Sequence, residues 1–151
     1  MNPTLDSTAI TRQWIARGLI AVVLALNLQA AVSYLIDPQS FSASFELSGV
    51  PGAAAVAGVG ILYLMWQVPY IFALTNPVKY KISLIEAIFM QTIGLLGESW
   101  LLSTLDPSHA LLRSSIERYI IFDAGGLVLL VCAYCAVHYR RPQFKKGEHD
   151  V

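Results

Sequence analysis

Apolar residues fall in four blocks along the chain, at about 13–36, 53–75, 82–105 and 117–139. A helix on the surface of a soluble protein keeps a polar stripe, whereas these blocks are apolar around most of their circumference. A helix that crosses a bilayer needs about 20 predominantly apolar residues, which each block supplies. The pattern predicts an all-α fold, a polytopic membrane four-helix bundle that forms a single domain over residues 1–151.

A proline follows the end of each block. Proline disfavours the helical conformation in the residue before it, so these positions predict where the four helices end. The pairs are Asp37-Pro38, Asn76-Pro77, Asp106-Pro107 and Arg141-Pro142.

The segment between the first two blocks has a pattern of its own. Phe41, Phe45 and Leu47 recur at helical spacing among serines and one glutamate. An apolar face on a short polar helix is typical of a helix lying in the membrane interface. We therefore expect a short interfacial helix at 39–48.

Composition agrees with a membrane protein and excludes several functions. Hydrophobic residues make up 56% of the chain and charged residues 13%, whereas about a quarter of the residues of a soluble domain are charged. The net charge is zero and no basic patch is present, so we expect no nucleic-acid partner. No phosphate-binding loop occurs. Cys132 and Cys135 form a C-x-x-C, but it lies within an apolar helix and His138 has no second histidine near it, so we predict no metal and no cofactor.

The distribution of basic residues predicts the topology. Of the ten Lys and Arg residues, eight flank the two termini or the loop between the second and third blocks, and two, Arg113 and Arg118, lie beside the last loop. Cytoplasmic loops carry the excess of Lys and Arg, so both termini are predicted to be cytoplasmic.

Polar residues within the apolar blocks, most of them in the last two, are the candidate functional residues. Counted at 1.5 Å per residue from the helix ends, Gln29, Glu98 and Asp123 all lie about 10 Å below the same membrane face. Gln91 shares a helix face with Glu98, and Tyr119 shares one with Asp123. We predict that these five residues form a ligand-binding cluster inside the bundle, because ionisable groups within a membrane are functional candidates by default.

Two carboxyl groups at one depth in a low dielectric are costly to ionise together. We expect either a shared proton or a salt bridge to Arg113 or Arg118, with Asn27 as a further member of the cluster. A purely structural role, in which the carboxyls hydrogen-bond helices together, is the alternative to a ligand or proton site.

Near the opposite face, Arg17 and Glu86 each lie about 6 Å inside their helix ends, and we predict a structural salt bridge between them.

Several short motifs in the first half resemble the small four-helix DoxX-like membrane proteins. They are Arg17-Gly18-Leu19 at the start of the first span, Asp37-Pro38-Gln39-Ser40-Phe41 after it, and Gly49-Val50-Pro51 before the second. The resemblance implies a four-span fold in the cell inner membrane and an association with quinone-linked or thiol redox systems. It carries over no catalytic residue, because Tyr34 stands where that family often has a lysine and the second span holds no acid.

The sequence favours an accessory protein that binds a small lipophilic molecule or docks on a larger membrane complex. Membrane lipid is the expected partner, and a homo-oligomer is compatible with the small-residue faces. One alternative is a membrane enzyme in which Glu98 and Asp123 act as an acid/base pair on an apolar substrate. Another is a proton-coupled small transporter. The residues do not decide whether the protein is an enzyme.

Overall fold

The structure is a computed structural model that describes the backbone of residues 3–138 and the side chains of residues 7–138. The described chain is all-helical, and four of its helices contain stretches long and apolar enough to cross a membrane. This confirms the predicted fold of four long apolar helices and indicates an integral membrane protein. The elements are α1 (Pro3–Ile36), α2 (Pro38–Ser42), a 3-10 turn (Ala43–Phe45), α3 (Gly49–Thr75), α4 (Lys81–Thr104) and α5 (Ala110–His138).

The helices end close to the prolines but begin earlier than the apolar blocks. α1 begins at Pro3 instead of about residue 13, and α5 begins at Ala110 instead of about residue 117. Hydropathy reports which residues suit lipid, whereas helical hydrogen bonding continues into polar residues beyond the apolar block. The end predicted at Arg141-Pro142 lies outside the described residues.

The segment between α1 and α3 is less regular than predicted. Asp37 caps α2 by accepting hydrogen bonds from the Ser40 amide at 3.3 Å and the Ser40 hydroxyl at 2.5 Å. The helix then tightens into the 3-10 turn and stops at Glu46, which has a left-handed φ of 55°. A non-glycine residue in that region ends a helix, so the expected continuous helix at 39–48 is replaced by two shorter pieces.

The four long helices form a ring. α1 packs against α3 and α5, and α4 packs against α5 and α3, whereas α1 and α4 lie diagonally opposite and their backbones do not approach each other closely. An apolar core lies toward the end of the bundle that bears the α3–α4 loop. It is built by Ile20 of α1, Ala73 of α3, Leu84 of α4 and Leu130 of α5. Glu98 lies nearer the opposite end, which we call the α2 end.

An ion pair joins the two connections at the α2 end. Glu46 Oε2 lies 2.5 Å from His109 Nδ1, and Glu46 Oε1 accepts a hydrogen bond from the Leu112 amide in the first turn of α5. The hydrogen bond from His109 is the largest cause that lowers the pKa of Glu46, and the same bond raises the pKa of His109. The nearby Asp106 carboxylate raises the pKa of His109 further.

This ion pair predicts a pH window of stability. The Glu46 contribution is present above its unfolded pKa near 4.5 and is lost as the pH falls through its lower folded value. The His109 contribution is present below its unfolded pKa near 6.5 and is lost as the pH rises through its higher folded value. We therefore expect the gap in melting temperature between wild type and His109→Gln to be largest between these pH values and to close by pH 9.

Thermal unfolding of the detergent-solubilised protein at low salt measures that gap. The gap is expected to be small, because the pair is exposed and salt screens it. Adding Glu46→Gln to His109→Gln should cause no further pH-dependent loss between pH 5.5 and pH 9, because the remaining bond of Glu46, from the Leu112 amide, is lost only at lower pH. A gap that stays constant from pH 5.5 to pH 9 would show that the pair contributes nothing through its charges.

Candidate ligand-binding cleft

A cavity of about 340 Å³ lies mainly between α3 and α4. These neighbouring helices pack against each other less extensively than the other neighbouring long helices do. α3 and α4 provide the two walls, and one residue each from α1 and α5 closes the inner side. The lining residues are Asn27, Val59, Tyr63, Trp66, Gln67, Tyr70, Met90, Gln91, Ile93, Gly94, Gly97, Glu98, Leu101 and Asp123. We call this cavity the α3–α4 cleft.

Gln91 is the centre of the polar network in the cleft. Its Nε2 donates to Asp123 Oδ1 at 2.7 Å, and its Oε1 accepts from the Tyr70 hydroxyl at 2.8 Å. The Tyr70 hydroxyl also lies 3.3 Å from the Ala87 carbonyl. One amide side chain thus joins α3, α4 and α5, and it is 4% exposed. In hydrocarbon, such bonds fix the positions of helices because the alternative is an unpaired polar group.

Two glycines make room for this network. A Cβ atom on Gly94 of α4 would lie 2.2 Å from Asp123 Oδ2, and one on Gly126 of α5 would lie 2.7 Å from Gln91 Nε2. Each glycine therefore faces the polar side chain of the other helix. Small residues at such contacts allow two membrane helices to approach closely, and here they also position the hydrogen-bonding groups.

α1 contributes Asn27 to the cleft, and not Gln29. Asn27 is buried and donates to Gln67 Oε1 at 3.3 Å, while Gln67 donates to the Tyr63 carbonyl at 2.7 Å. Gln29 is exposed and does not line the cleft. The prediction was wrong for Gln29 because equal depth does not mean the same side of a helix. Two residues along an α-helix correspond to a rotation of roughly 200°.

Glu98 is the group in the cleft that lacks a partner. Within residues 7–138, its Oε2 is buried and accepts no hydrogen bond. Buried polar atoms are nearly always paired, and an unpaired one in an apolar setting costs free energy. Glu98 and Asp123 do line the same cleft, as their shared depth predicted, but only Asp123 is held by the network.

Tyr119 lies in a separate cavity of about 310 Å³ at the α2 end. Its hydroxyl hydrogen-bonds the Tyr34 hydroxyl of α1, and its ring stacks on Phe45 at 6.0 Å. This cavity, the tyrosine chamber, is lined by Ala30, Tyr34, Phe41, Ser44, Tyr63, Arg118, Tyr119 and Phe122. It shares one wall with the cleft, the side chain of Tyr63. Tyr119 is thus on the predicted face of α5 but about one turn away from the cleft.

No arginine pairs with the cleft carboxyls among the described residues. Arg113 donates to the carbonyls of Leu102 and Leu105 and so caps the end of α4, and Arg118 donates to Ser115 Oγ. The salt-bridge alternative predicted for Glu98 and Asp123 is therefore absent from the described part of the chain.

The salt bridge expected between Arg17 and Glu86 is also absent from residues 7–138. The Arg17 guanidinium lies over the Trp14 ring, 4.4 Å from its centroid, and Glu86 is exposed. The reason is topological: α1 and α4 occupy diagonal corners of the ring, so residues at equal depth on them do not meet.

The cleft opens to the side of the bundle. At its lips the apolar side chains of Trp66, Ile93 and Leu101 are 45%, 69% and 44% exposed. The exposed apolar surface of a membrane span faces lipid, so the opening communicates with the acyl chains.

A groove of about 610 Å³ between α1 and α5 is larger than the α3–α4 cleft, but its lining side chains carry no polar group. It is bordered by Val23, Leu26, Phe122 and other apolar side chains, together with small residues of α5. Such a groove offers contact area but no group that selects a ligand.

Sequence reasoning missed the contribution of α3. Tyr63, Trp66, Gln67 and Tyr70 form one wall of the cleft, although α3 carries no charge. Their spacing at i, i+3, i+4 and i+7 places them on one helix face, and this pattern was the available signal. Neither that spacing nor the depth of the acids specifies which helices are neighbours.

Comparison of the chain with protein-family models, with curated proteins and with solved structures found no match.

Proposed function

We propose that this protein binds a small lipophilic molecule with a hydroxyl or carbonyl head, which enters the α3–α4 cleft sideways from the bilayer. The observation that carries the proposal is the unpartnered Oε2 of Glu98 in the wall of this cleft. The cleft volume of about 340 Å³ is at the lower end of the range for small-molecule sites, which suits a single ring or a compact head group.

The rest of the cleft is preorganised around that group. Gln91, Tyr70 and Asp123 bind one another, so their geometry is fixed before a ligand arrives. Preorganisation lowers the entropic cost of binding. Glu98 therefore selects the polar end of the ligand, while Trp66 and Ile93 at the opening contact its apolar tail.

Glu98 suits either redox form of a quinone. An ionised carboxyl accepts a hydrogen bond from a hydroquinone hydroxyl, and a protonated carboxyl donates one to a quinone carbonyl. A molecule with an aromatic ring can also pack against the edge-to-face pair formed by Tyr63 and Trp66, whose ring centroids lie 5.6 Å apart. These features support the association with membrane quinones that the DoxX-like motifs suggested.

The proposal includes a setting in the cell inner membrane with both termini in the cytoplasm. The distribution of basic residues supports this topology, since eight of the ten lie at the termini or on the α3–α4 loop side. The α2 end, with Glu98 on its side of the bundle, would then belong to the outer half of the membrane.

Binding of decylhydroquinone by the detergent-solubilised protein tests the proposal. We expect Glu98→Gln to weaken binding about tenfold, because a hydrogen bond to a charged group is replaced by a neutral one, at a cost of about 1.4 kcal/mol. Quenching of tryptophan fluorescence by the ligand, with Trp66→Phe to identify the reporting residue, measures the dissociation constant.

Glu86→Gln is the matched control for that experiment. It makes the same change on the same helix, but at an exposed position outside the cleft. Its dissociation constant should equal that of wild type. Equal binding by the Glu98→Gln and Glu86→Gln variants would remove Glu98 from the site.

A further inference from the structure

The tyrosine chamber differs from the cleft in the chemistry of its lining. Among residues 7–138, its lining includes the Arg118 side chain and several hydroxyl-bearing side chains but no carboxylate. The lining of the cleft, over the same residues, includes two carboxyl groups and no cation. The two cavities therefore select ligands of opposite character, although they share the wall formed by Tyr63.

Phenolic hydroxyl groups of the chamber have protons that are not used in hydrogen bonds within the described chain. Tyr34 and Tyr119 bond each other, and in such a pair one hydroxyl donates while the other keeps its own proton. Among residues 7–138, neither hydroxyl has another partner, and the Tyr63 hydroxyl forms no hydrogen bond in that range. Two phenolic protons are thus available at the chamber wall.

Arg118 adds the positive charge. Its Nη2 donates to Ser115 Oγ at 3.0 Å, and no carboxylate of the described chain pairs with it. A guanidinium has five N–H donors, so most of them remain for a ligand. Arginine binds the oxygens of phosphate and carboxylate through two parallel hydrogen bonds, which makes it suited to such groups.

We propose that the tyrosine chamber is a second binding site, which holds an anionic phosphate group through Arg118 and the phenolic protons of Tyr63 and the Tyr34–Tyr119 pair. The chamber lies at the α2 end, where the spans meet the head groups of the bilayer. A phosphate there comes either from the head group of an anionic lipid or from a free phosphate in solution. The α2 segment, with Phe41 and Ser44 on the chamber wall, lies beside the bound group.

Calorimetric titration of the full-length protein in a neutral detergent tests this site. The probes are dihexanoyl phosphatidylglycerol, dihexanoyl phosphatidylcholine and inorganic phosphate. We expect phosphatidylglycerol to bind with an affinity at least tenfold higher than that of phosphatidylcholine, and the affinity to fall as salt is added. Arg118→Gln should weaken the binding about tenfold, whereas Arg118→Lys, which keeps the charge but loses the two parallel hydrogen bonds, should weaken it by less than Arg118→Gln does.

Three further variants make the test specific. The double variant Tyr34→Phe/Tyr119→Phe removes the spare proton of the tyrosine pair and should weaken binding severalfold without loss of charge. Lys79→Gln removes a cation at the opposite end of the bundle, where the ammonium lies over the Tyr80 ring, and should leave binding unchanged. Glu86→Gln, at an exposed position outside both cavities, should also leave it unchanged. Anion binding and decylhydroquinone binding are measured separately, so a failure of the cleft proposal and a failure of this one are distinguishable.

Each outcome decides the proposal. Arg118-dependent binding of phosphatidylglycerol supports it and identifies a lipid as the source of the anion. Binding of inorganic phosphate with the same dependence on Arg118 supports it and identifies a soluble anion. Equal affinity of wild type and Arg118→Gln, or equal affinity for the two lipids, would overturn it. Because Arg118 is exposed and bonds only one side chain, both of its variants are expected to fold.

Discussion

Replacement of Gly94 by alanine is expected to lower the free energy of unfolding by about 2 kcal/mol, in the range measured for overpacked cores. The new Cβ would lie 2.2 Å from Asp123 Oδ2, far inside van der Waals contact. Asp123 has a short side chain that is held by Gln91, so it cannot move aside without loss of that hydrogen bond. Either the bond breaks or α4 and α5 move apart.

Gly97→Ala is the control for this substitution. Gly97 lies one turn further along α4 and lines the same cleft, but a Cβ placed there meets nothing within 4 Å. Alanine also has a higher helix propensity than glycine. Gly97→Ala should therefore be neutral or stabilising. Unfolding of both variants in mixed detergent and SDS micelles measures the difference, and equal midpoints would show that Asp123 is not packed on Gly94.

Replacement of Gln91 by leucine is expected to destabilise the protein by a similar amount, about 2 kcal/mol. Leucine has nearly the same size but no polar atom, so it leaves Asp123 Oδ1 without its donor and the Tyr70 hydroxyl without its nearer acceptor. A buried group that loses its partner costs about 1–3 kcal/mol. The free energies measured for hydrogen bonds between membrane helices are at the low end of this range. The loss of both bonds of Gln91 is therefore expected to cost about 2 kcal/mol in total.

The same substitution at Gln29 provides a matched comparison. Gln29 is exposed on a membrane-spanning helix, where leucine is a better residue in contact with lipid. We expect Gln29→Leu to be neutral or stabilising in the same unfolding assay. If Gln29→Leu destabilised the protein as much as Gln91→Leu, the polar network would not be the source of the effect.

The comparison of Gln29 with Gln91 also shows how far the sequence predicts the site. Counting residues from the proline stops gave the depth of each polar group, and Gln91, Glu98 and Asp123 do line one cavity. Depth contains no information about which side of a helix faces the bundle or which helices are adjacent. For this reason the interior position of α1 belongs to Asn27, and the expected contact between Arg17 and Glu86 spans a diagonal of the ring.

The prediction of the helices was limited in a different way. The ends of α1, α3 and α4 follow from proline chemistry, which acts locally and is visible in the sequence. The early start of α5 depends on contacts made by other segments. Glu46 accepts from the Leu112 amide, and Arg113 caps α4, so the first turn of α5 is stabilised by residues far away in the chain or on the preceding helix.

The most direct test of the ligand-binding cleft is to map where a bound molecule lies. A decylquinone with a photoreactive group on its ring, irradiated with the membrane-embedded protein, labels the residues that surround the ring, and mass spectrometry of the digested protein identifies them. We predict labels on α3 between residues 59 and 70 and on α4 between residues 90 and 101, reduced in Glu98→Gln and unchanged in Glu86→Gln. Labels confined to the apolar groove between α1 and α5, or spread evenly over the exposed faces, would contradict the assignment.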